Sequence, residues 1–297
     1  MSLLGKQHSD PVSIGVTFWG ARGSIAVPGA ETVVFGGNTS CLEVVLKRAG
    51  RECAIIVDAG TGLRLLGNSR EWRQDTDIHV LLTHLHHDHV IGLSFFKPLH
   101  VPGSTIHIWC GNLAGETAEA ALGQMFAPPL FPFRLGQVNA RLIFHGFRAG
   151  ETIEVGGERI ATVPLRHPSG ATGYRFGEGA AALAVITDIE HETNGPEPEL
   201  VDFCRGIDTV VYDTMLAECD YGSCRGWGHS TAAEAIKLMQ ASGARRLVGF
   251  HHDPCAVDAQ MEQREKAMQH SWPESLMARE GQTLTCARLP HEAGRGP

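Results

Sequence analysis

At 297 residues, 43% of them hydrophobic and 20% charged, the chain has ordinary globular composition and enough length for one large domain or two small ones. A formal net charge of −8 with scattered basic residues argues against a surface that grips a large nucleic acid by its phosphates. No apolar run approaches the ~20 residues of a bilayer span, and no basic segment followed by an apolar one opens the chain, so a soluble, cytoplasmic protein without membrane contact is expected. The eight cysteines are scattered, and Cys53 and Cys110 fall inside strand-like runs, which suits reduced thiols better than a disulfide framework. Cys219 and Cys224 are the nearest pair, but no second pair stands at a structural-zinc spacing.

Residues Met1 to Pro11 are polar without period and are expected to be disordered, leaving 12–297 as a single domain. Ile14 to Trp19 reads as a strand, and a glycine-rich loop then runs to Asn38; long ordered loops usually carry function. Leu42 to Leu46 and Cys53 to Val57 read as a hairpin. The carboxylate of Asp58, before a glycine turn, either orients a metal-binding histidine from behind or caps the helix that starts near Leu63.

The short apolar run Ile78, Val80, Leu81, Leu82 stops abruptly at Thr83-His-Leu-His-His-Asp-His89, as a buried strand does where it ends in a loop. Three imidazoles and a carboxylate within six residues (His84, His86, Asp88 and His89) would cost a core dearly without partners, and a bound dication supplies one. His84 and His86, two apart, can point the same way. Asp88 and His89 can project from the next turn toward a second ion, while His87 faces away.

Ile91 to Phe96 continues as a short helix, Thr105 to Cys110 as a strand, and Glu116 to Phe126 carries Ala118, Ala121, Leu122 and Met125 at helical spacing. The following Pro128-Pro129-Leu130-Phe131-Pro132 is a rigid apolar loop that lids a site, buries a dimer contact or simply packs. A second run of strands follows at Arg141 to Phe144, Thr152 to Val155, Arg159 to Leu165, Thr172 to Phe176 and Ala182 to Thr187, with Thr209 to Tyr212 and Leu247 to Phe250 beyond it. Thr231 and Glu234 form a capping box opening a helix that stops at Gly243. The pattern predicts an α/β fold, an αββα sandwich of two sheets packed face to face with helices outside. Three of the later strands end as the first motif does, in His167, in Asp188 and in His251-His252-Asp253.

The string His84-x-His86-x-Asp88-His89 resembles the signature of the metallo-β-lactamase-fold hydrolases. The resemblance implies that His84, His86 and His167 hold one divalent ion, that Asp88, His89 and His251 hold a second, and that Asp188 bridges them. His252 could replace His251, although the residue directly after the strand matches better. Nitrogen and oxygen ligands without thiolate fit zinc first, then manganese or iron. Such a pair of ions lowers the pKa of a water between them and makes hydrolysis the natural chemistry.

Gly226-Trp227-Gly228-His229-Ser230-Thr231 puts a histidine at a helix N-terminus, where free N–H groups and the helix dipole favour an anion. With the alanine-rich helix and the strand ending in His that follow, it resembles the phosphodiesterase branch: RNase Z, the phosphoribosyl cyclic phosphodiesterases and related cyclic-nucleotide enzymes. Phe18-Trp19-Gly20-x-Arg22-Gly23-Ser24 with Gly36-Gly37-Asn38-Thr39-Ser40 also looks like bacterial members of that group. RNase Z enzymes carry a basic tRNA-gripping arm where Leu113 to Phe133 here has no Lys or Arg, so tRNA is not the expected substrate.

The expected activity is therefore that of a dinuclear phosphodiesterase acting on a small cyclic nucleotide or ribose phosphodiester. Asp88 and His229 are its expected catalytic residues, His229, Arg22 and Arg166 its substrate contacts, and Asp58 a support behind a metal ligand. A lactone or thioester hydrolase on the same metals, and a non-enzymatic di-iron sensor, are the alternatives. A homodimer is compatible with the sequence.

Overall fold

The computed structural model describes residues 13–48, 50–111, 115–191 and 195–286. The disorder expected for Met1 to Pro11, and the outer limits 12 and 297 assigned to the domain, lie outside these residues. The first half of the chain runs β1 (Ser13–Gly20), β2 (Cys41–Arg48), β3 (Arg51–Val57), α1 (Gly62–Asn68), β4 (Asp77–Leu82), α2 (His87–Val90), β5 (Thr105–Gly111), α3 (Ala118–Met125) and β6 (Arg141–Phe147). The second runs β7 (Thr152–Val155), β8 (Glu158–Leu165), β9 (Ala171–Phe176), β10 (Leu183–Ile186), α4 (Pro198–Phe203), β11 (Thr209–Asp213), α5 (Ala232–Ser242), β12 (Arg246–Phe250), α6 (Asp258–Ser271), β13 (Ser275–Met277) and β14 (Thr283–Cys286).

These strands form two seven-stranded sheets, ordered β14-β1-β2-β3-β4-β5-β6 and β13-β12-β11-β10-β9-β8-β7. Along β1 the side chains alternate, with Ile14, Val16 and Phe18 fully buried. They join Val44, Val57, Tyr174, Phe176, Val185 and Phe250 in the core between the sheets. On the outer face of the first sheet, Leu63 and Leu66 of α1 and Leu122 of α3 cover Val80, Leu82 and Ile108. On the outer face of the second, Leu200, Ile236, Met239, Met261 and Met268 of α4, α5 and α6 cover Ile186, Val210 and Leu247. The expected αββα layering is the architecture of the chain. No helix among the described residues is long and apolar enough to cross a membrane.

Two strands sit elsewhere than the order of the sequence suggests. β6 opens the second run of strands but lies parallel to β5 as the edge of the first sheet, with Arg141 opposite Thr105. The C-terminal segment serves both sheets. β13 extends the second beside β12, and β14 returns to pair with β1, covering what would otherwise be an open edge. Helix α5 is capped as expected at Thr231, whose hydroxyl accepts from the Glu234 N–H at 3.3 Å, and it ends at left-handed Gly243. The reciprocal half of the capping box is absent because the Glu234 carboxylate takes Lys237 at 2.7 Å instead. The proline-rich loop is anchored by Phe131, which packs on Phe126 and Phe133, while Leu130 stays exposed.

Strand direction positions the site. β3, β4 and β5 are parallel, as are β10, β11 and β12. β8 runs with the latter because both β8 and β10 are antiparallel to β9. The carboxyl ends therefore gather at a rim, where the Tyr174 hydroxyl donates to Leu82 O at 2.6 Å and the Thr172 N–H donates to Thr83 O at 2.9 Å, lacing one sheet to the other.

Candidate metal centre

All seven side chains named as ligands from the sequence meet at this rim. His84, His86 and His167 offer nitrogens within 4.8 Å of one another, and Asp88, His89 and His251 form a second such group. Asp188, which follows β10, lies between them. Its carboxylate is 3.3 Å from His89 Nε2, 3.4 Å from His251 Nε2, and 3.8 Å from both His84 Nε2 and His167 Nε2. His87 is exposed and belongs to neither group.

The chemistry of this donor set fits cations. Imidazole nitrogens face one another at 3.1 Å (His86 Nδ1 and His167 Nε2) and at 3.2 Å (His89 Nε2 and His251 Nε2), so ring nitrogens converge on the same spaces. His84 Nε2 is buried without a hydrogen-bond partner, which is costly in a protein interior unless a cation takes it up. Burial by itself would raise the carboxyls of Asp188 and Asp88. The imidazoles around them outweigh it, His251, His89 and His84 for Asp188 and His89 and His251 for Asp88, and hold both well below the usual carboxylate range. Five imidazoles and two carboxylates suit divalent ions of zinc, manganese or iron type.

Supporting groups fix the orientation of the ligands. Asp58 accepts His89 Nδ1–H at 2.7 Å, so that Nε2 faces the centre, and it is held in turn by the Thr83 N–H (2.8 Å), the Thr83 hydroxyl (2.9 Å) and the Ser40 hydroxyl (2.7 Å). The alternative reading of Asp58 as a helix cap is corrected: it is fully buried in this network, and α1 begins behind Thr61 without a side-chain cap. The Ser24 N–H donates to Asp88 Oδ2 at 2.8 Å. Ser24, Asp58, Asp188 and His251 all have left-handed backbones, with φ between 57° and 63°, and they account for four of the six such non-glycine residues among those described. Conformations costing about 1–3 kcal/mol each are thus concentrated where strand ends must aim side chains at the rim.

His251 joins the cluster and His252 does not: His252 is fully buried with Nε2–H donating to Ala278 O at 2.8 Å, and burial pushes it down to about 3. Arg22 needs correction as an anion contact. It is fully buried, and its guanidinium donates to the carbonyls of Gly36 (2.8 Å), Asp253 (2.9 Å) and Ala256 (2.7 Å). It pins the glycine-rich loop to the loop after β12, and the next residue, Gly23, lies so close to His251 that an added Cβ would sit 2.5 Å from its ring. Arg166 is exposed and lines a cavity of about 180 Å³ with Glu197 and Glu199, outside the cluster. Larger cavities of about 450 and 480 Å³ run along α3 and β6 and include none of the cluster residues.

His229 is buried beside the centre, its Nδ1 4.0 Å from Asp188 and 2.9 Å from Asp213 Oδ2. Burial opposes its charged form, but Asp213 outweighs that, and the imidazole is pushed up to about 9. Asp213, the last residue of β11, was missed from the sequence although it obeys the strand-end pattern that identified Asp188; its Oδ1 also accepts from the Met215 N–H at 3.0 Å. His167 is oriented by Gly228 O, which accepts its Nδ1–H at 2.8 Å.

Comparison with known proteins agrees with this geometry. Residues 54–252 match the family described as the beta-lactamase superfamily domain. Ribonuclease Z of Bacteroides fragilis (strain YCH46) is 22% identical over 282 residues, covering 77% of this chain and 88% of that protein. A diphosphatase from the PhnP family superposes with a TM-score of 0.66 at 19% identity over 93% of this chain and 98% of its own. The short form of human tRNase Z superposes with 0.60 at 18% identity, over 92% and 100% respectively.

Proposed function

The chain belongs to the β-lactamase superfamily, and we propose that it is a cytoplasmic dinuclear metallohydrolase that cleaves a small phosphodiester, a cyclic nucleotide or ribose phosphodiester. The observation that carries this reading is the Asp213–His229 pair, a buried imidazole bonded to a buried carboxylate among the clustered metal donors. Bound dications, zinc by preference and manganese or iron as alternatives, would activate water and neutralise charge developing on phosphoryl oxygens. His84, His86 and His167 would hold one, Asp88, His89 and His251 the other, and Asp188 both.

The protein's own part is orientation and proton donation. Asp58 and Gly228 O keep His89 and His167 in the tautomers that present Nε2. With Nδ1 engaged by Asp213, His229 has Nε2–H free to donate to a phosphoryl oxygen or to the leaving alkoxide. Trp227, 59% exposed and two residues before His229, supports a substrate with an aromatic base. The acidic net charge and the absence of Lys and Arg from 113–133 support a small diester over a folded RNA. The likeness to ribonuclease Z favours a second reading, cleavage of tRNA precursors.

Zinc-loaded protein assayed on bis(p-nitrophenyl) phosphate, cyclic and linear nucleotide diesters and a tRNA precursor separates the two. Turnover of the small diesters with His229→Ala at least ~100-fold slower at unchanged metal content is expected. Unaltered turnover in that variant would refute the role of His229, and efficient cleavage of the precursor alone would favour the second reading.

A further inference from the structure

Two residues beyond Asp188, the Glu190 side chain is 6% exposed, and its partners are backbone N–H groups rather than a cation. Its carboxylate accepts from the Gly226 N–H at 3.0 and 2.8 Å and from the Gly228 N–H at 2.9 Å. A charged acceptor on two amides is a strong anchor, roughly twice a neutral bond. Its own N–H donates to Arg166 O at 2.9 Å, one residue before His167. Glu190 thus ties together the loop carrying His167 and the loop carrying Trp227.

The Trp227 loop controls two functional groups. The Gly228 carbonyl fixes His167, and Gly228 packs so tightly on that ring, with φ at 84°, that no side chain could stand there. His229 follows immediately. This loop is held at a second point by Arg225, which donates to His191 O at 3.1 Å.

We propose that Glu190 is a positioning residue: one carboxylate holds the loop that simultaneously orients a ligand of the first cation position and the proton donor of the reaction. The two are therefore coupled, and loosening Glu190 disturbs both, although it touches neither a bound cation nor the substrate. The turnover arm of the test rests on the proposed phosphodiesterase activity; the metal arm does not.

The experiment compares wild type, Glu190→Gln and His229→Ala by zinc titration against a chromophoric chelator, by thermal unfolding of the chelator-treated proteins, and by kinetics on bis(p-nitrophenyl) phosphate at saturating zinc. In Glu190→Gln an amide NH2 replaces one of the oxygens facing the two N–H groups. One of the two zinc affinities, that of the position formed by His84, His86 and His167, should fall about 10–100-fold, kcat should fall even at saturation, KM should change little, and the metal-free unfolding midpoint should stay near wild type. His229→Ala should lose kcat and keep both affinities. Glu190→Asp, which keeps the charge one methylene short, should lie between wild type and the glutamine variant. Wild-type zinc affinity and kcat in Glu190→Gln would overturn the proposal, as would equal weakening of both zinc positions with a lowered unfolding midpoint, because that is general destabilisation. If wild type cleaves no diester, the functional reading fails while the zinc titration still decides the role of Glu190.

Discussion

Asp213→Asn isolates the charge that raises His229. In the folded protein the imidazole stands at about 9 against an ordinary 6.5, with burial working against it and Asp213, 2.9 Å away, as the largest opposing influence. The substitution keeps the shape and removes the charge, so His229 should fall to 6.5 or below. At pH 8 its protonated fraction would drop from roughly 0.9 to roughly 0.03, about 30-fold. On bis(p-nitrophenyl) phosphate, the alkaline limb of the pH–rate profile should move acidward, with turnover recovering toward wild type at lower pH.

Stability gives an independent check. A pKa raised on folding contributes stability that is complete below ~6.5 and disappears as pH rises through ~9. A rise from 6.5 to about 9, at about 1.4 kcal/mol per factor of ten, is worth on the order of 3 kcal/mol. Urea unfolding of the chelator-treated proteins should therefore separate variant from wild type at pH 6 and bring them together near pH 10. A pH–rate profile that does not move, or a stability difference that grows with pH, would refute the reasoning.

Asp58→Asn removes the charged partner of His89 Nδ1, and zinc titration should register an affinity about 10–100-fold weaker at the position shared by Asp88, His89 and His251. Gly23→Ala drives a methyl into the His251 ring, and calorimetry of the metal-free protein should record about 1–3 kcal/mol of lost stability together with weaker binding at that same position. If Trp227 stacks on a base, Trp227→Ala should lower kcat/KM for a cyclic nucleotide about 10–100-fold and leave a base-free ribose cyclic phosphate unchanged; equal losses on both would rule out stacking.

The metal donors were legible in sequence because the physics behind them is local. A buried strand is an apolar run, and the polar residues just after it emerge at the sheet rim, as His84, His167, Asp188 and His251 do; their assignment to two ions came from the family resemblance. Asp213 stands at the end of β11 in the same way, but no histidine motif lies beside it in sequence to single it out. Glu190 could not be read in this way, since its partners are backbone N–H groups 36 and 38 residues along the chain that converge only after folding. Arg22 looked like a solvent-facing cation because nothing local indicates that the loops after β1 and β12 close over it. Sheet membership was illegible for a similar reason: the edges taken by β6 and β14 are decided by which neighbours lack a partner, not by their own residues.

The account's central claim is that side chains far apart in sequence surround two cations. Anomalous diffraction at the zinc edge from crystals of zinc-loaded protein tests it most directly. Two peaks about 3.5–4 Å apart are predicted, one within bonding reach of His84, His86 and His167, the other of Asp88, His89 and His251, with Asp188 between them. A single peak, or zinc elsewhere than at these residues, would contradict it.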